Sequence, residues 1–180
     1  MAIPDGAPVG VSDVITIPSG GAILDLNVLV SATHTWVGDL VFTVTHLSSG
    51  TSVAILDRPG ITTTGGFGCQ GNDLANVTFD DEGVVNAETD CVSGANPIQA
   101  YPANASLIPN NPLSAFDGEN IAGGWRFTAS DNVGSDTGTL ISWCLAAVSA
   151  PAPTDTPTPT ATPTSLPTDT PTVTPTDTPT

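Results

Sequence analysis

Apolar and polar residues alternate along much of the first 150 positions, which is the pattern of half-buried β-strands. The clearest stretch is 34–59, where Leu40, Phe42 and Val44 alternate with the β-branched residues Val41, Thr43 and Thr45. Ser48-Ser49-Gly50 then has the composition of a turn, and β-branched residues are frequent in both arms. This stretch therefore predicts a β-hairpin.

Further strands are predicted on both sides of the hairpin. A short strand at 14–17 precedes a longer one at 22–32, which places Leu24, Leu26, Val28 and Val30 on one face. Residues 60–112 are rich in Gly, Pro, Asn and Asp, so we expect irregular structure there apart from a short strand at 76–82. Alternation returns at 125–130 and 139–148, whereas a helical period is not seen before position 60.

Three separated motifs resemble the P domain, also called the P/Homo B domain, of kexin- and furin-like subtilisin proteases. They are His34-Thr35-Trp36-Val37-Gly38-Asp39-Leu40, then Gly50-Thr51-Ser52 with Arg58-Pro59, and finally Gly123-Gly124-Trp125 followed by Gly138-Thr139-Leu140. The resemblance covers roughly residues 14–148, and the long insertion at 60–112 is similar to bacterial members. It implies a jelly-roll β-sandwich of about eight strands that stabilises a neighbouring protease domain.

Composition changes abruptly at Pro151, beyond which Thr and Pro dominate. No apolar face is available to offset the loss of conformational entropy on ordering. We therefore predict an all-β sandwich domain at 1–150 and a disordered, polyproline-II-biased linker at 151–180. An O-glycosylated stalk is the alternative for the linker.

The charge of the chain is strongly negative, with 18 acidic residues against two basic ones and a net charge of −16. Nucleic acids and anionic membranes are therefore poor partners. No apolar run approaches the ~20 residues of a membrane helix, so membrane insertion is not expected. The opening Met1-Ala2-Ile3-Pro4 lacks the features of a signal peptide, and we expect a piece of a longer, secreted or cell-surface protein of bacterial type.

Cysteine usage is sparse but informative. Cys69 and Cys91 flank a loop-like stretch, and a disulfide between them would tether a connection of low intrinsic order. Cys144 lies in a strand pattern and is predicted to be a small buried apolar residue, with a reactive or differently paired thiol as the alternative. No Cys-x-x-Cys pair indicates a metal site.

The acidic residues predict calcium binding. Phe79-Asp80-Asp81-Glu82 and Phe116-Asp117-Gly118-Glu119 share a spacing in which Phe can anchor in the core while the acids project together. Ca²⁺ prefers six to eight hard oxygen ligands, and clustered loop acids can supply them. The main predicted ligand pool is Asp39, Asp80, Asp81, Glu82, Asp117 and Glu119, and a weaker group is Asp131, Asn132 and Asp136. Solvated turn acids are the alternative.

No catalytic residue is predicted. Gly50-Thr51-Ser52-Val53-Ala54 mimics the nucleophile motif of subtilisin-like proteases, but Ser52 lies in a strand pattern, without a His in the family's context. His34 is expected to form hydrogen bonds near the hairpin, and His46 to pack with the face of Phe42. Core or sheet-edge packing is expected for Trp36, Trp125 and Trp143, with sugar stacking as the alternative.

Together these features predict a non-catalytic, calcium-binding P domain accessory to a secreted subtilisin-like or other protease. Its expected partner is the adjacent catalytic domain, or neighbouring modules in the same chain, and the domain itself is expected to be monomeric. The alternative function is a free-standing adhesion or binding module, for protein or carbohydrate, in a large extracellular surface protein.

Overall fold

The computed structural model describes residues 1–61, 66–93 and 98–151. The linker predicted at 151–180 falls almost wholly outside these residues. No helix in the described ranges is long and apolar enough to span a membrane.

Ten strands in the described residues form two sheets. In chain order they are β1 (Ala2–Ile3), β2 (Val11–Ile17), β3 (Ile23–His34), β4 (Leu40–His46), β5 (Ser52–Asp57), β6 (Leu74–Phe79), β7 (Val85–Asn86), β8 (Ser106–Ile108), β9 (Gly123–Asp131) and β10 (Gly138–Ser149). One sheet has the order β1-β10-β3-β6-β8-β7 and the other the order β2-β9-β4-β5. Two short 3-10 helices, Val37–Asp39 and Leu113–Phe116, connect strands.

The two sheets pack face to face, which confirms the predicted all-β sandwich. The chain repeatedly passes from one sheet to the other, as in β2 to β3, β3 to β4 and β9 to β10. The core between the sheets contains large side chains from both, including Phe42, Phe79 and Trp125, all fully buried. Burying side chains of this size on the inner faces is the main stabilising term of the fold.

The predicted hairpin is present as β4 and β5, which pair in antiparallel register. Leu40, Phe42 and Val44 are fully buried, as their alternation predicted. The Phe42 ring packs against Phe127 of β9, with ring centroids 5.3 Å apart. His34, however, ends β3 and is not part of the hairpin, so the 34–59 stretch joins the two sheets.

The predicted inner face of β3 is wrong at one end. Leu24 is 61% exposed, and Ile23 is buried in its place. The reason is a register shift in the pairing of β3 with β10, where Val148 lies opposite Asp25 but Ser149 lies opposite Ile23. Such a bulge reverses which side chains face the core.

Residues 60–112 contain more regular structure than predicted. β8 pairs in parallel with both β6 and β7, and so extends the six-stranded sheet. Tyr101 and Leu107 anchor this segment in the core, and the Tyr101 hydroxyl donates to the Ala87 carbonyl at 2.5 Å. Buried anchors of this kind let a Gly- and Pro-rich segment pack as part of the sandwich.

The predicted Cys69–Cys91 disulfide is present. Cys144 is a free cysteine, but its predicted burial is wrong because the residue is exposed. Trp143 lies opposite the buried Val30 in the register of β10 with β3 and therefore takes the inner face. Its neighbour Cys144 necessarily points away from the core.

Removing the disulfide should destabilise the domain. The bond closes a loop with a sequence separation of 22, so replacing Cys69 and Cys91 together by Ser should lower the free energy of unfolding by about 3 kcal/mol. Denaturant unfolding of both proteins measures the difference. The matched control is Cys144→Ser, whose effect should stay within about 0.5 kcal/mol because the side chain is exposed. Equal stability of the double variant and the native chain would contradict this role.

Candidate functional site

The first 3-10 helix, Val37–Asp39, lies where the chain leaves the end of β3 for β4 of the opposite sheet. Gly38 allows this crossing, because a Cβ atom there would lie 2.2 Å from the backbone nitrogen of Cys69. The Gly38 amide instead donates to the Cys69 carbonyl at 2.9 Å. The Gly-Asp pair of the first motif thus reflects a close backbone approach that fixes the position of Asp39.

A buried histidine and carboxylate join the two sheets at this crossing. The His34 Nε2 atom lies 3.2 Å from Asp131 Oδ2, and both side chains are fully buried. The other ring nitrogen, Nδ1, lies 2.7 Å from the Trp36 carbonyl oxygen. Asp131 Oδ1 accepts a hydrogen bond from the Val133 amide at 3.0 Å. Each polar atom of the pair therefore has a partner, which is the condition for burying such groups.

Asp39 is the exception at this end of the sandwich. Its residue is only 2% exposed, and its Oδ1 atom accepts no hydrogen bond from any described residue. The nearest cation is Arg58, whose Nη2 atom lies 3.9 Å from Oδ1, beyond hydrogen-bonding distance. The structure thus holds an incompletely compensated carboxyl group at the end of the sandwich.

Burial raises the pKa of Asp39 from 3.8 to about 7. The negative charges of Asp131, Asp136 and Asp5 act in the same direction, and the charge of Arg58 opposes them. Both predicted ligand groups contribute to this corner: Asp39 belongs to the main pool, whereas Asp131 and Asp136 belong to the weaker group. The structure therefore brings one member of the main pool next to the weaker group. Asp5 was not among the predicted ligands.

The remaining predicted calcium ligands lie elsewhere, and Asp80, Asp81 and Glu119 among them accept hydrogen bonds from other residues. The Asp81 carboxylate accepts hydrogen bonds from the amides of Leu113 and Ser114 at 2.7 and 2.8 Å, at the start of the second 3-10 helix. Asp80 Oδ1 accepts one from the Glu82 amide at 2.9 Å. The anchoring Phe residues of both Phe-Asp-x-Glu segments are buried as expected, but their carboxylates are not brought together at one site.

Glu119 lies with the β4–β5 turn. Its Oε2 atom is 2.8 Å from both His46 Nδ1 and Ser49 Oγ, and its Oε1 atom accepts a hydrogen bond from Thr51. Burial alone would raise the pKa of Glu119, but these three hydrogen bonds outweigh it and hold the pKa below its ordinary value. Asp117, two residues earlier, is exposed.

Across the described residues, no three His, Cys, Asp or Glu side chains are arranged to hold a metal ion. Calcium binding therefore stays a prediction from the sequence. The Asp39 corner is where the described residues leave a buried carboxylate oxygen without a hydrogen bond.

Serine, histidine and glutamate do meet at Ser49, His46 and Glu119, but not in the geometry of a catalytic triad. Ser49 Oγ and Glu119 Oε2 both approach the same ring nitrogen, Nδ1, at 3.2 and 2.8 Å. A triad needs the acid on one nitrogen and the nucleophile on the other. His46 Nε2 instead lies 3.3 Å from the Ala122 carbonyl, and the ring stacks on Trp125. Ser52 Oγ lies 2.9 Å from Thr45 Oγ1.

The three tryptophans have different environments. Trp125 is fully buried and donates to the Ile121 carbonyl at 2.9 Å. Trp143 is half-buried and stacks on Phe127, and its indole donates to Asp13 at 2.9 Å. Core and edge packing thus describe these two residues. Trp36 is also half-buried, but it lines a surface cavity beside Asp39.

Sequence reasoning missed two members of this corner. Phe67 was not singled out, because it lies in a Gly-rich segment without periodicity. Arg58 was noted as part of a motif and as one of the two basic residues in the chain, but it was not connected with Asp39, although a buried acid needs a partner of opposite charge.

No protein-family model matches the chain. No curated protein matches it either. The structure is similar to a chain in the crystal structure of the Aeromonas sobria serine protease and chaperone complex, with a TM-score of 0.50 and 17% identity over 80% of this chain. A crystal structure of the serine protease of Aeromonas sobria gives a TM-score of 0.48 at the same identity. The present chain covers 24% of the length of those chains, and the likeness concerns the fold.

The pKa of Asp39 leads to a pH prediction. The folded state holds a proton on Asp39 that the unfolded state has lost between pH 4 and 7, so the free energy of unfolding should fall as pH rises through this range. Asp39→Asn lacks this contribution. Relative to the native chain, its melting temperature should therefore rise by a few degrees between pH 5 and 8.

Glu88 allows an independent second measurement of the same kind. Burial raises the pKa of Glu88 to about 7; a hydrogen bond from the Asp57 amide opposes this shift, and the charge of Asp57 adds to it. Glu88→Gln should therefore remove a separate contribution of the same sign. Parallel curves of melting temperature against pH for the native chain and Asp39→Asn would show that Asp39 does not titrate in this range.

Proposed function

We propose that residues 1–150 are a non-catalytic P domain that packs against, and stabilises, a protease catalytic domain in the same exported polypeptide. The main observation that supports the proposal is the likeness in fold, over 80% of this chain, to part of a chain in the Aeromonas sobria serine protease–chaperone complex. That similarity concerns a limited portion of a larger protein, as expected for a domain attached to a catalytic unit.

The P-domain-like motifs support the same proposal through their positions. The His34–Leu40 segment and Arg58 meet at one corner of the sandwich, where Asp39 faces Arg58. Gly138 of the last motif packs against the His34 ring, since a Cβ atom there would lie 2.4 Å from His34 Cδ2. Motifs that are far apart in sequence thus form one structural unit.

The arrangement of the serines and histidines supports a non-catalytic role. Ser52 pairs with a neighbouring hydroxyl on β4, and Ser49 shares one ring nitrogen of His46 with Glu119. In a catalytic triad, the serine contacts one imidazole nitrogen and an orienting acid contacts the other. Neither Ser49 nor Ser52 has this arrangement. The Cys69–Cys91 disulfide is of the type found in exported proteins.

The isolated chain should not hydrolyse peptide or ester substrates. Neither Ser52 nor Ser49 has a base positioned to remove its proton in the geometry of a triad. The measurement is turnover by the purified chain beside Ser52→Ala and Ser49→Ala, with a serine-protease inhibitor to reveal contamination. Turnover that either substitution abolishes would contradict the non-catalytic assignment.

Residues 1–150 should stabilise the parent protease. Their deletion from the parent polypeptide should shorten the half-life of its peptidase activity at raised temperature several-fold, because the catalytic domain would lose a packed interface. Deletion of 151–180 alone is the control and should leave the half-life unchanged. A parent polypeptide without peptidase activity, built of repeated sandwiches, would instead favour the adhesion or binding module.

A further inference from the structure

A surface cavity of about 320 Å³ opens beside the first 3-10 helix. It is lined by Trp36, Asp39, Phe67 and the turn at residues 133–136. The Trp36 indole N–H donates to the Phe67 carbonyl oxygen at 2.6 Å, which holds the two aromatic residues next to each other. Phe67 is 67% exposed although it is a large apolar side chain. Two aromatic residues and two carboxylates, those of Asp39 and Asp136, thus share one cavity.

Asp39 gives the cavity its chemistry. The residue is 98% buried, as its 2% exposure shows, and the Oδ1 atom has no hydrogen-bond partner among the described residues. Arg58 approaches to 3.9 Å but does not form a hydrogen bond with it. A buried carboxylate oxygen without a partner is energetically unfavourable, and a charged donor entering the cavity would relieve it.

The neighbouring acids add to this demand for a positive charge. Asp131 and Asp136 both raise the electrostatic energy of a charged Asp39. Asp136 Oδ1 already accepts a hydrogen bond from Thr35 at 2.7 Å, which fixes it at the edge of the cavity. A cation bound beside Asp39 would therefore interact favourably with more than one carboxylate.

The chain has no further basic side chain to place beside Asp39. It has only two basic residues, of which Arg58 is already placed near Asp39. Arg126 lies in the middle of β9, paired with Val14 and Thr45 of the adjacent strands. The second cation must come from another molecule.

The lining residues favour an organic cation over a metal ion. Ca²⁺ needs six to eight oxygen ligands, whereas the described residues include no group of three acidic, His or Cys side chains arranged around a metal. Trp and Phe rings supply no oxygen ligands, but they attract ammonium and guanidinium groups through their π faces. A volume of this size also suits a long side chain better than a single ion.

We propose that the cavity formed by Trp36, Asp39, Phe67 and residues 133–136 binds the basic side chain, arginine or lysine, of a partner protein. The charged group pairs with the Asp39 carboxylate, and the aliphatic part of the side chain lies against the aromatic residues. The overall charge of −16 would attract such a basic partner over long distances. The proposal does not require the partner to be a protease.

The test is a titration of the isotope-labelled full chain, followed by ¹H–¹⁵N NMR. The probes are N-acetyl-arginine amide, N-acetyl-lysine amide and the neutral isostere N-acetyl-citrulline amide. The arginine or the lysine probe should cause saturable shifts at the Trp36 indole and at the Ser135 and Asp136 amides. The citrulline probe should cause none, because it lacks the positive charge.

Three variants locate the binding. Asp39→Asn should weaken binding roughly tenfold or more, since it removes a charge-assisted pair while keeping the side-chain shape. Phe67→Ala should weaken it a few-fold and leaves the fold untouched, because the side chain is exposed; it keeps the test decisive if the Asp39 variant is unstable. Asp117→Asn is the control with the same change in net charge, and it should bind like the native chain.

Each result decides the proposal. Saturable, charge-dependent shifts that are lost in Asp39→Asn and kept in Asp117→Asn would support it. The proposal fails if the basic probes cause no saturable shift, if citrulline binds equally, or if Asp39→Asn and Phe67→Ala both bind like the native chain. It also fails if calcium alone binds through Asp39, since the corner would then be the metal site predicted from the sequence.

Discussion

The corner at which the chain crosses between the two sheets depends on one buried polar pair, His34 with Asp131. Its members end β3 and β9, one in each sheet, and neither contacts water. A pair of this kind in a low-dielectric interior requires that every polar atom have a partner, and here the Trp36 carbonyl and the Val133 amide complete the set. The pair thus determines where the chain can cross from β3 to β4, and with that the position of the first 3-10 helix.

The same pair offers no donor to Asp39. Both ring nitrogens of His34 are engaged elsewhere, and the carboxylate oxygens of Asp131 are themselves acceptors. Gly38 brings the helix close against the Cys69 backbone, and Asp39, the next residue, is 2% exposed there. Arg58 is then the remaining source of positive charge, and it stops 3.9 Å away. The raised pKa of Asp39 is the electrostatic consequence of this packing.

The sequence pattern predicted the sandwich well where strands follow a strict two-residue period. Leu40, Phe42 and Val44 are buried as predicted, because β4 pairs with β9 without a register shift and the shift in its pairing with β5 adds a residue, Ile55, on the β5 side. The pattern failed at Leu24, next to a register shift in the pairing of β3 with β10. A bulge depends on the partner strand, so periodicity within one strand cannot reveal it. Cys144 was misplaced because its residue type suggested burial, whereas the strand register places the neighbouring Trp143 inside.

The acidic residues show the corresponding limit for the site. Sequence spacing placed Phe79 and Phe116 correctly in the core, yet the nearby acids Asp81 and Glu119 accept hydrogen bonds from backbone and side-chain donors of other segments. Whether a carboxylate has a hydrogen-bond partner depends on donors that are far away in sequence. The Leu113 amide, which donates to Asp81, is 32 residues from it. Asp39 differs from these acids because it is buried without such a donor. In a chain with 18 acids and two basic residues, the density of acids does not mark a candidate binding site. Among the described residues, the feature that does is Asp39, a buried acid that the fold leaves incompletely paired.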